Sequence, residues 1–364
     1  MKAVHFAFVG LGAIAKTHIV ALKAMPVIMD LPYVPVLDTL VTRNPEAKRA
    51  QAEAMGFKRV TASLEETLQD GAIDVVDICT PNAMHYDDVL TAARAGKAVY
   101  CEKPVTESYS RSKQLAEAAG PALFNQVALV YRFHPGVMRI REALSQGVIG
   151  EVLQCQASYR RSGYLNAERP VSWRLRSDVS GGGGAITDLG VHVLDVLRHL
   201  LGEIEDVQGR VHTYVKRRPT DHTQTQWVDM QVDDHAVMDV KMASGVTGTA
   251  EVSRIAWGSE AFQINLFGTK GSITIDLEKE YVPNIKLLDG SSPATPKTAS
   301  LSLVPDDKTT LGMAQDCHLG GLNHFLQRLT ADGNERFPGL APKIEDCLVA
   351  EYWVDQVLRA NGKA

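Results

Sequence analysis

The chain has no CxxC pair, and its five cysteines, Cys79, Cys101, Cys155, Cys317 and Cys347, are scattered and odd in number. That argues against a zinc ribbon or a disulfide framework and makes a cytoplasmic protein with reduced thiols the expectation. No apolar run is long enough to span a bilayer, so no membrane partner is expected. Basic charge is not in surplus either. Thirty-eight Lys and Arg face 43 Asp and Glu, a formal net charge of −5 without blocks of like charge, which speaks against nucleic acid. The opening stretch, MKAVHFAFVGLG, has an apolar centre but no small-residue cleavage site, and reads as a strand rather than a signal peptide. Internal repeats and heptads are absent.

What is present suits a nucleotide fold. With 364 residues, 45% hydrophobic and 22% charged, the chain can bury a sizeable core in each of two domains. Val4–Val9 is almost wholly apolar, as in a parallel strand buried on both faces. It runs straight into Gly10-Leu11-Gly12-Ala13-Ile14-Ala15 and then into a helical pattern. This is a GxGxxA dinucleotide fingerprint. Gly10 allows the tight turn, Gly12 lets backbone approach a pyrophosphate, and Ala15 keeps helix and strand close. The helix N-terminus, at Ala13 and Ile14, then faces phosphate charge.

Further βα units follow. LDTLVTRNPEAKRAQAEAMGF reads as strand, turn and helix, preceded by a long insert, PVIMDLPYVPVLD. Val75–Cys79 reads as a strand followed by a helix ending near Gly96, and AVYCEKP as a strand stopped by Pro104. Such alternation implies a doubly wound parallel sheet with ligands beyond the carboxyl ends of its strands. Gly10, Thr42, Thr80 and Lys103 should therefore line one crevice. The position where an acid would accept the ribose hydroxyls holds Thr42, followed by Arg43 and Asn44. Without an acid there, NADP(H) is favoured and NAD(H) is the alternative.

From about Val127 the pattern changes, so residues 1–126 are expected to form the Rossmann domain and 127–364 an α+β substrate and oligomerisation domain. A helix over Gly136–Gln146 precedes a strand in GEVLQCQASYRRSG. DVQGRVHTYVK and DDHAVMDVKMASGVTGTAEVSRIAWG suggest further strands, and FQINLFGTKGSITIDL a hairpin around Gly268-Thr269-Lys270-Gly271. Strands without intervening helices imply a large, mostly antiparallel sheet, whose outer face a second subunit would cover. Residues 277–312 read as loop. GGLNHFLQRLTADG and KIEDCLVAEYWVDQVLRANGKA read as terminal helices, the last able to pack on the first domain.

The stretch GGGGAITDLGVHVLDVLRHLLG, residues 181–202, carries the chemistry. A glycine run, expected to be flexible, leads into a helix with Asp188, His192, Asp195 and His199 on one line. Gly190 inside a helix costs about 1 kcal/mol relative to Ala, so close approach of a ligand or close helix packing is expected there. A metal could sit on Asp188, His192 and Asp195, but no further ligand is evident and none is expected. Arg160, Arg161, Arg169, Arg174 and Arg176 cluster before the run, which would suit an anionic substrate or a solvated surface.

GLGAIA, CTPNAMHYDDVLTAARAGKAVYCEKP, YRFHP, SWR and GGGGAITDLGVHVLDVL occur in that order, and through them the chain resembles the Gfo/Idh/MocA oxidoreductases. The resemblance implies a Rossmann domain followed by a domain with a large sheet that often forms the oligomer interface, here a homodimer or homotetramer. It implies action on sugars, sugar derivatives or cyclitols. It places the family's catalytic lysine at Lys103 of Glu102-Lys103-Pro104, and its acid and histidine at Asp188 and His192. Thr80, Pro81, Asn82, His85 and Glu102 then border the cofactor. Tyr131 and Arg132 match a segment near nicotinamide and substrate, although Val130 replaces a common Asn. Trp173 and Arg174 match a segment that closes over the site.

The residue chemistry agrees with that assignment. Hydride removal from an alcohol needs a base titrating near the working pH, and His192 qualifies unperturbed. Lys103 could steady the developing alkoxide. Asp188 lies one turn before His192 and could orient substrate or imidazole; Asp195 could hold the ring from the other side. Two alternatives share the fingerprint: a glycosidase using NAD for transient oxidation, and a dinucleotide-binding regulator without chemistry.

Overall fold

The computed structural model describes residues 2–291, 293, 311–330, 337 and 339–363. In chain order the elements are β1 (Lys2–Val9), α1 (Ala13–Ile28), β2 (Tyr33–Val41), α2 (Pro45–Met55), β3 (Arg59–Thr61), α3 (Leu64–Gln69), β4 (Val75–Ile78), α4 (His85–Arg94), β5 (Ala98–Cys101), α5 (Tyr109–Ala119) and β6 (Asn125–Val127). Then come α6 (Pro135–Ser145), β7 (Val152–Arg160), α7 (Ser177–Ser180), a π-helical turn (Ile186–Gly190) and α8 (Val191–Leu201). The remainder is β8 (Ile204–His212), β9 (Arg217–Pro219), β10 (Trp227–Asp229), β11 (His235–Met242), β12 (Thr247–Ser253), β13 (Ala261–Gly268), β14 (Gly271–Asp276), β15 (Asn284–Leu287), α9 (Met313–Thr330) and α10 (Ile344–Ala360). No helix among the described residues is long and apolar enough to cross a membrane.

Two compact units share the chain, and not as consecutive blocks divided at 126/127. The first runs to Thr106, resumes over Ser110–Phe133 and takes in α9 and the segment up to Glu345. The second begins in earnest at His134 and holds α10. Close packing brings α9 to the first unit. Gly320 and Gly321 lie where an added Cβ would stand 3.1 Å from the Phe133 Cβ and 2.9 Å from the Tyr100 hydroxyl. Gln315 donates to the carbonyl of Thr17 at 2.6 Å, and Tyr33 bonds Asn323.

The first unit is a parallel six-stranded sheet in the Rossmann order β3-β2-β1-β4-β5-β6. β4 and residues 6–9 of β1 are buried on both faces, apolar except for Asp77. Part of the supposed insert before the second strand is the strand itself: β2 starts at Tyr33 and includes Pro35. Proline is tolerated because β3 pairs only with Thr39–Val41, leaving the Pro35 side of β2 open.

The second unit is a seven-stranded sheet, β15-β14-β13-β7-β12-β11-β8, antiparallel except where β7 and β12 run parallel. One face buries Ala236, Met238, Val240, Ala250, Val252, Ile264 and Leu266; α8 packs on β7, and the π turn on β12. Within the loop expected over 277–312, residues 284–287 form β15, while 292 and 294–310 lie outside the described residues. The last residues of the expected helix through 333 lie outside them too.

The glycine run is tightly packed, not flexible. Buried Asp233, just before β11, accepts the amides of Gly184 (2.6 Å) and Ile186 (2.9 Å), and its own carbonyl accepts Ala185 (3.0 Å). A Cβ on Gly184 would lie 2.1 Å from that carbonyl oxygen. Gly181 has φ +92° and its Cβ would strike the Glu107 carbonyl at 2.1 Å. Gly190 is likewise a packing glycine: its Cβ would meet Ile186 at 3.2 Å and Met238 at 3.9 Å. Gly184→Ala is expected to cost about 1–3 kcal/mol of stability through overpacking. An unchanged midpoint in denaturant would refute the clamp.

Candidate active site

Strand register decides which residues meet in the first unit. Val9 pairs with both Val41 and Ile78, Ile78 with Cys101, and Cys101 with Val127. Five strands therefore end level, and the residues that follow, Gly10, Thr42, Cys79, Glu102 and Ala128, share one edge. The motifs continue from that edge. Thr80, Pro81 and Asn82 follow β4, Lys103 follows β5, and Tyr131 and Arg132 lie on the turn after β6.

The glycine turn fits a dinucleotide. Gly10 adopts φ +91°, and a Cβ there would sit 3.1 Å from the Cys79 carbonyl, so only glycine turns here without strain. A Cβ on Gly12 would meet nothing within 4 Å, which leaves a cradle for an approaching group. Ala15 is fully buried, as close helix–strand packing requires, while Gly12 and Ala13 are exposed and Ile14 half-buried. These first amides of α1 have no side-chain cap and are free to receive phosphate oxygens.

Thr42 and Arg43 do follow β2, with Asn44 capping α2 by accepting the amide of Ala47 at 3.2 Å. Asp38, the acid within β2, is buried and taken by Arg59 (2.7 Å) and His5 (3.0 Å). It offers nothing to a ribose.

Two expected cofactor residues do other work. Both ring nitrogens of His85 face backbone carbonyls, Thr80 at 2.8 Å and Pro104 at 3.0 Å. The ring is a strut between the two loops. Burial lowers its pKa, and a neutral imidazole donates to one of those carbonyls only. Glu102, expected beside the cofactor, turns its carboxylate inward to 3.2 Å from His18 Nε2 of α1. The other nitrogen of His18 lies 3.0 Å from Asp77. Thr80 donates to Asp88 at 2.8 Å, and burial pushes the Asp88 carboxyl up to about 6.

In the second unit, Asp188 sits on the π turn and His192 in the first turn of α8. The helix is thus not one regular run, and a π turn is a common way to re-aim a functional side chain. Asp188, 28% exposed, accepts a hydrogen bond from Arg254 Nη2 at 2.9 Å; Arg254 is 4% exposed. Sequence reading missed Arg254, which follows β12 without any motif. The His192 ring lies 6.3 Å from that of Tyr159, itself stacked on Phe262. Trp173 and Arg174 stack on each other at 4.3 Å.

The arginines before the glycine run are largely committed elsewhere. Arg160 binds Gln263 and Ser259, Arg161 binds Glu278 at 2.6 Å, Arg169 the Gly163 carbonyl, and Arg176 Asp178 at 2.6 Å. Groups with ligand atoms close enough for a metal occur at His18, Asp77 and Cys79 and at His18, Glu102 and His318. Asp188, His192 and Asp195 make no such group among the described residues.

A level parallel edge with an open glycine turn, joined to a second unit with an acid and histidine beside a large sheet, defines a two-part dinucleotide-dependent oxidoreductase. A profile described as "Oxidoreductase family, NAD-binding Rossmann fold" matches residues 4–122, and one described as "GFO/IDH/MocA C-terminal domain" matches 137–274. The chain belongs to the Gfo/Idh/MocA oxidoreductase family. It is 30% identical over 293 residues to levoglucosan dehydrogenase of Pseudarthrobacter phenanthrenivorans, covering 77% of this chain and 75% of that one. To scyllo-inositol 2-dehydrogenase (NAD(+)) of Bacillus subtilis it is 28% identical, covering 81% and 79%. A solved levoglucosan dehydrogenase complex with NADH and L-sorbose superposes with a TM-score of 0.89 at 26% identity, covering 100% of this chain and 98% of that one.

Gly12→Ala is expected to leave stability unchanged and weaken cofactor binding about tenfold or more, because its methyl fills the cradle. Unaltered cofactor affinity by titration would rule out the glycine turn as the binding surface.

Proposed function

We propose that this oxidoreductase moves a hydride between a nicotinamide cofactor and a ring secondary hydroxyl, or the matching keto group, of a sugar, sugar derivative or cyclitol. The observation that carries this reading is the level strand edge, which puts the Gly12 cradle and Lys103 on one side of one sheet. Relatives named for levoglucosan and inositol support the substrate class. Bound on the glycine turn, the nicotinamide supplies the hydride acceptor or donor.

The chain's own residues handle the proton and the oxygen. In this reading His192 takes the hydroxyl proton as the C–H bond breaks, and the Lys103 ammonium steadies the developing alkoxide. Asp188, fixed by Arg254, orients a neighbouring hydroxyl or the imidazole. Tyr131, Arg132, Trp173 and Arg174 border the ring. The open face of the second sheet, which exposes Val237 and Phe267 among mostly polar residues, is the surface assigned to a second copy in a homodimer or homotetramer. Five buried cysteines outside any disulfide support a cytoplasmic setting.

A reading without net oxidation has one observation in its favour. A relative from Escherichia coli, 32% identical over 220 residues and covering 60% of this chain and 55% of that one, is named 2,7-anhydro-N-acetylneuraminate hydratase. Accumulation of reduced cofactor separates the two.

Lys103→Met is expected to keep cofactor binding while turnover falls about 100-fold or more, read as absorbance of reduced cofactor over a panel of polyols, aldoses, keto-sugars and sugar acids. Parent-like turnover would overturn the roles assigned here. For cofactor choice, Arg43 and the missing acid favour NADP(H) over NAD(H), although the Bacillus subtilis relative is named for NAD(+). NADP+ is expected to give the higher kcat/KM, and Arg43→Glu to reverse the order. An NAD+ preference in the parent would refute the charge argument.

A further inference from the structure

We propose that His18 is a positioning residue for the reaction: the buried chain Asp77–His18–Glu102 fixes the peptide that carries Lys103. This rests on the role given to Lys103 above. His18 projects from α1 and is 0% exposed. Its Nδ1 lies 3.0 and 3.1 Å from the two oxygens of Asp77 on β4, and its Nε2 lies 3.2 Å from Glu102 Oε1 just past β5. One ring therefore spans two neighbouring strands at the edge where the cofactor is proposed to bind. The Glu102 amide continues the ladder by donating to the Ile78 carbonyl at 3.0 Å, so backbone and side chain are both tied. Fixing Glu102 at both its amide and its carboxylate fixes the start of the loop on which Lys103 is the next residue.

The ring itself is held. Tyr100 packs edge-on against it at 5.3 Å, and the His318 ring of α9 lies at 5.1 Å. Burial, with the neighbouring His18, lowers His318 to about 3, so it stays neutral and does not compete for the proton. Although burial disfavours its charge, Asp77 and Cys79 hold His18 well above the ordinary histidine value. Burial likewise opposes ionisation of Glu102, yet His18, with His318 and Lys103, brings it down to about 2. The His18 ring thus sits between two buried acids, the second of them the residue just before Lys103.

Stability alone does not account for the arrangement. Burying three charges costs more than packing apolar side chains of the same volume. The contact between Nε2 and Oε1 is close but not lined up as a hydrogen bond. His18 Nε2, Glu102 Oε1 and the Tyr100 hydroxyl are buried without a hydrogen-bond partner. Such unmet polar atoms in a core are costly and cluster where function holds them.

The test uses the full-length enzyme. His18→Asn reaches Asp77 but not Glu102, whereas the longer His18→Gln reaches Glu102. His18→Asn is expected to lower kcat about 10- to 100-fold, with cofactor Kd changed by less than about twofold. His18→Gln regains most of the loss. In a Lys103→Met background His18→Asn adds no further loss, since it acts through the lysine. Should Lys103→Met turn over like the parent, the reading of Lys103 fails first. If that variant is impaired but His18→Asn multiplies its loss, the proposal is overturned. It is equally overturned if Gln is as slow as Asn, or if cofactor affinity falls in step with kcat. Should His18→Asn not fold, the isosteric Glu102→Gln serves in the same comparison. A stoichiometric metal ion in the purified protein, released by Glu102→Gln, would also overturn it by replacing the imidazolium between the carboxylates.

Discussion

Register within the parallel sheet is the constraint from which the rest follows. β1, β2, β4, β5 and β6 stop level with one another, so five separate stretches of chain leave the sheet at one edge. A slip of one residue in β5 would carry Glu102 away from His18 and shift Lys103 along that edge. Parallel strands buried on both faces resist such slips, because every side chain along them is packed. The precision of the edge is thus bought by the core beneath it.

Acids held in one direction are the second theme, and they recur in both units. Asp233 accepts backbone amides, Asp188 is held by the buried Arg254, and Asp77 and Glu102 flank the His18 ring. Each partner is itself buried, so each acid is fixed in direction. Glycine works alongside them through contact, not looseness. At Gly10, Gly181 and Gly184 backbone atoms come too near for a methyl group, while Gly12 leaves space instead.

Much of this was legible in the residues. The GxGxxA turn, the strand ends at Thr80 and Lys103, the β13–β14 hairpin and the family resemblance all follow from local patterns. Other features depend on partners far along the chain. YVPVLD read as the end of an insert, because nothing local reveals the partners that make it part of β2. The glycine run read as flexible because Asp233, 49 residues away from Gly184, is invisible to local pattern. Arg254 and His18 carry no motif, and only their burial beside Asp188 and Glu102 marks them. The loop reading over 277–312 missed β15, a short strand that exists through pairing with β14.

The central claim is that the level edge delivers Lys103 to the reactive ring of a dinucleotide seated on the glycine turn. A crystal structure with reduced cofactor and a sugar or cyclitol tests it most directly. The account predicts the pyrophosphate over Gly12, and Lys103 Nζ and His192 both within hydrogen-bonding reach of one hydroxyl whose carbon faces the nicotinamide. A dinucleotide seated away from Gly10–Ile14, or a nicotinamide with no contact to Lys103, would contradict it.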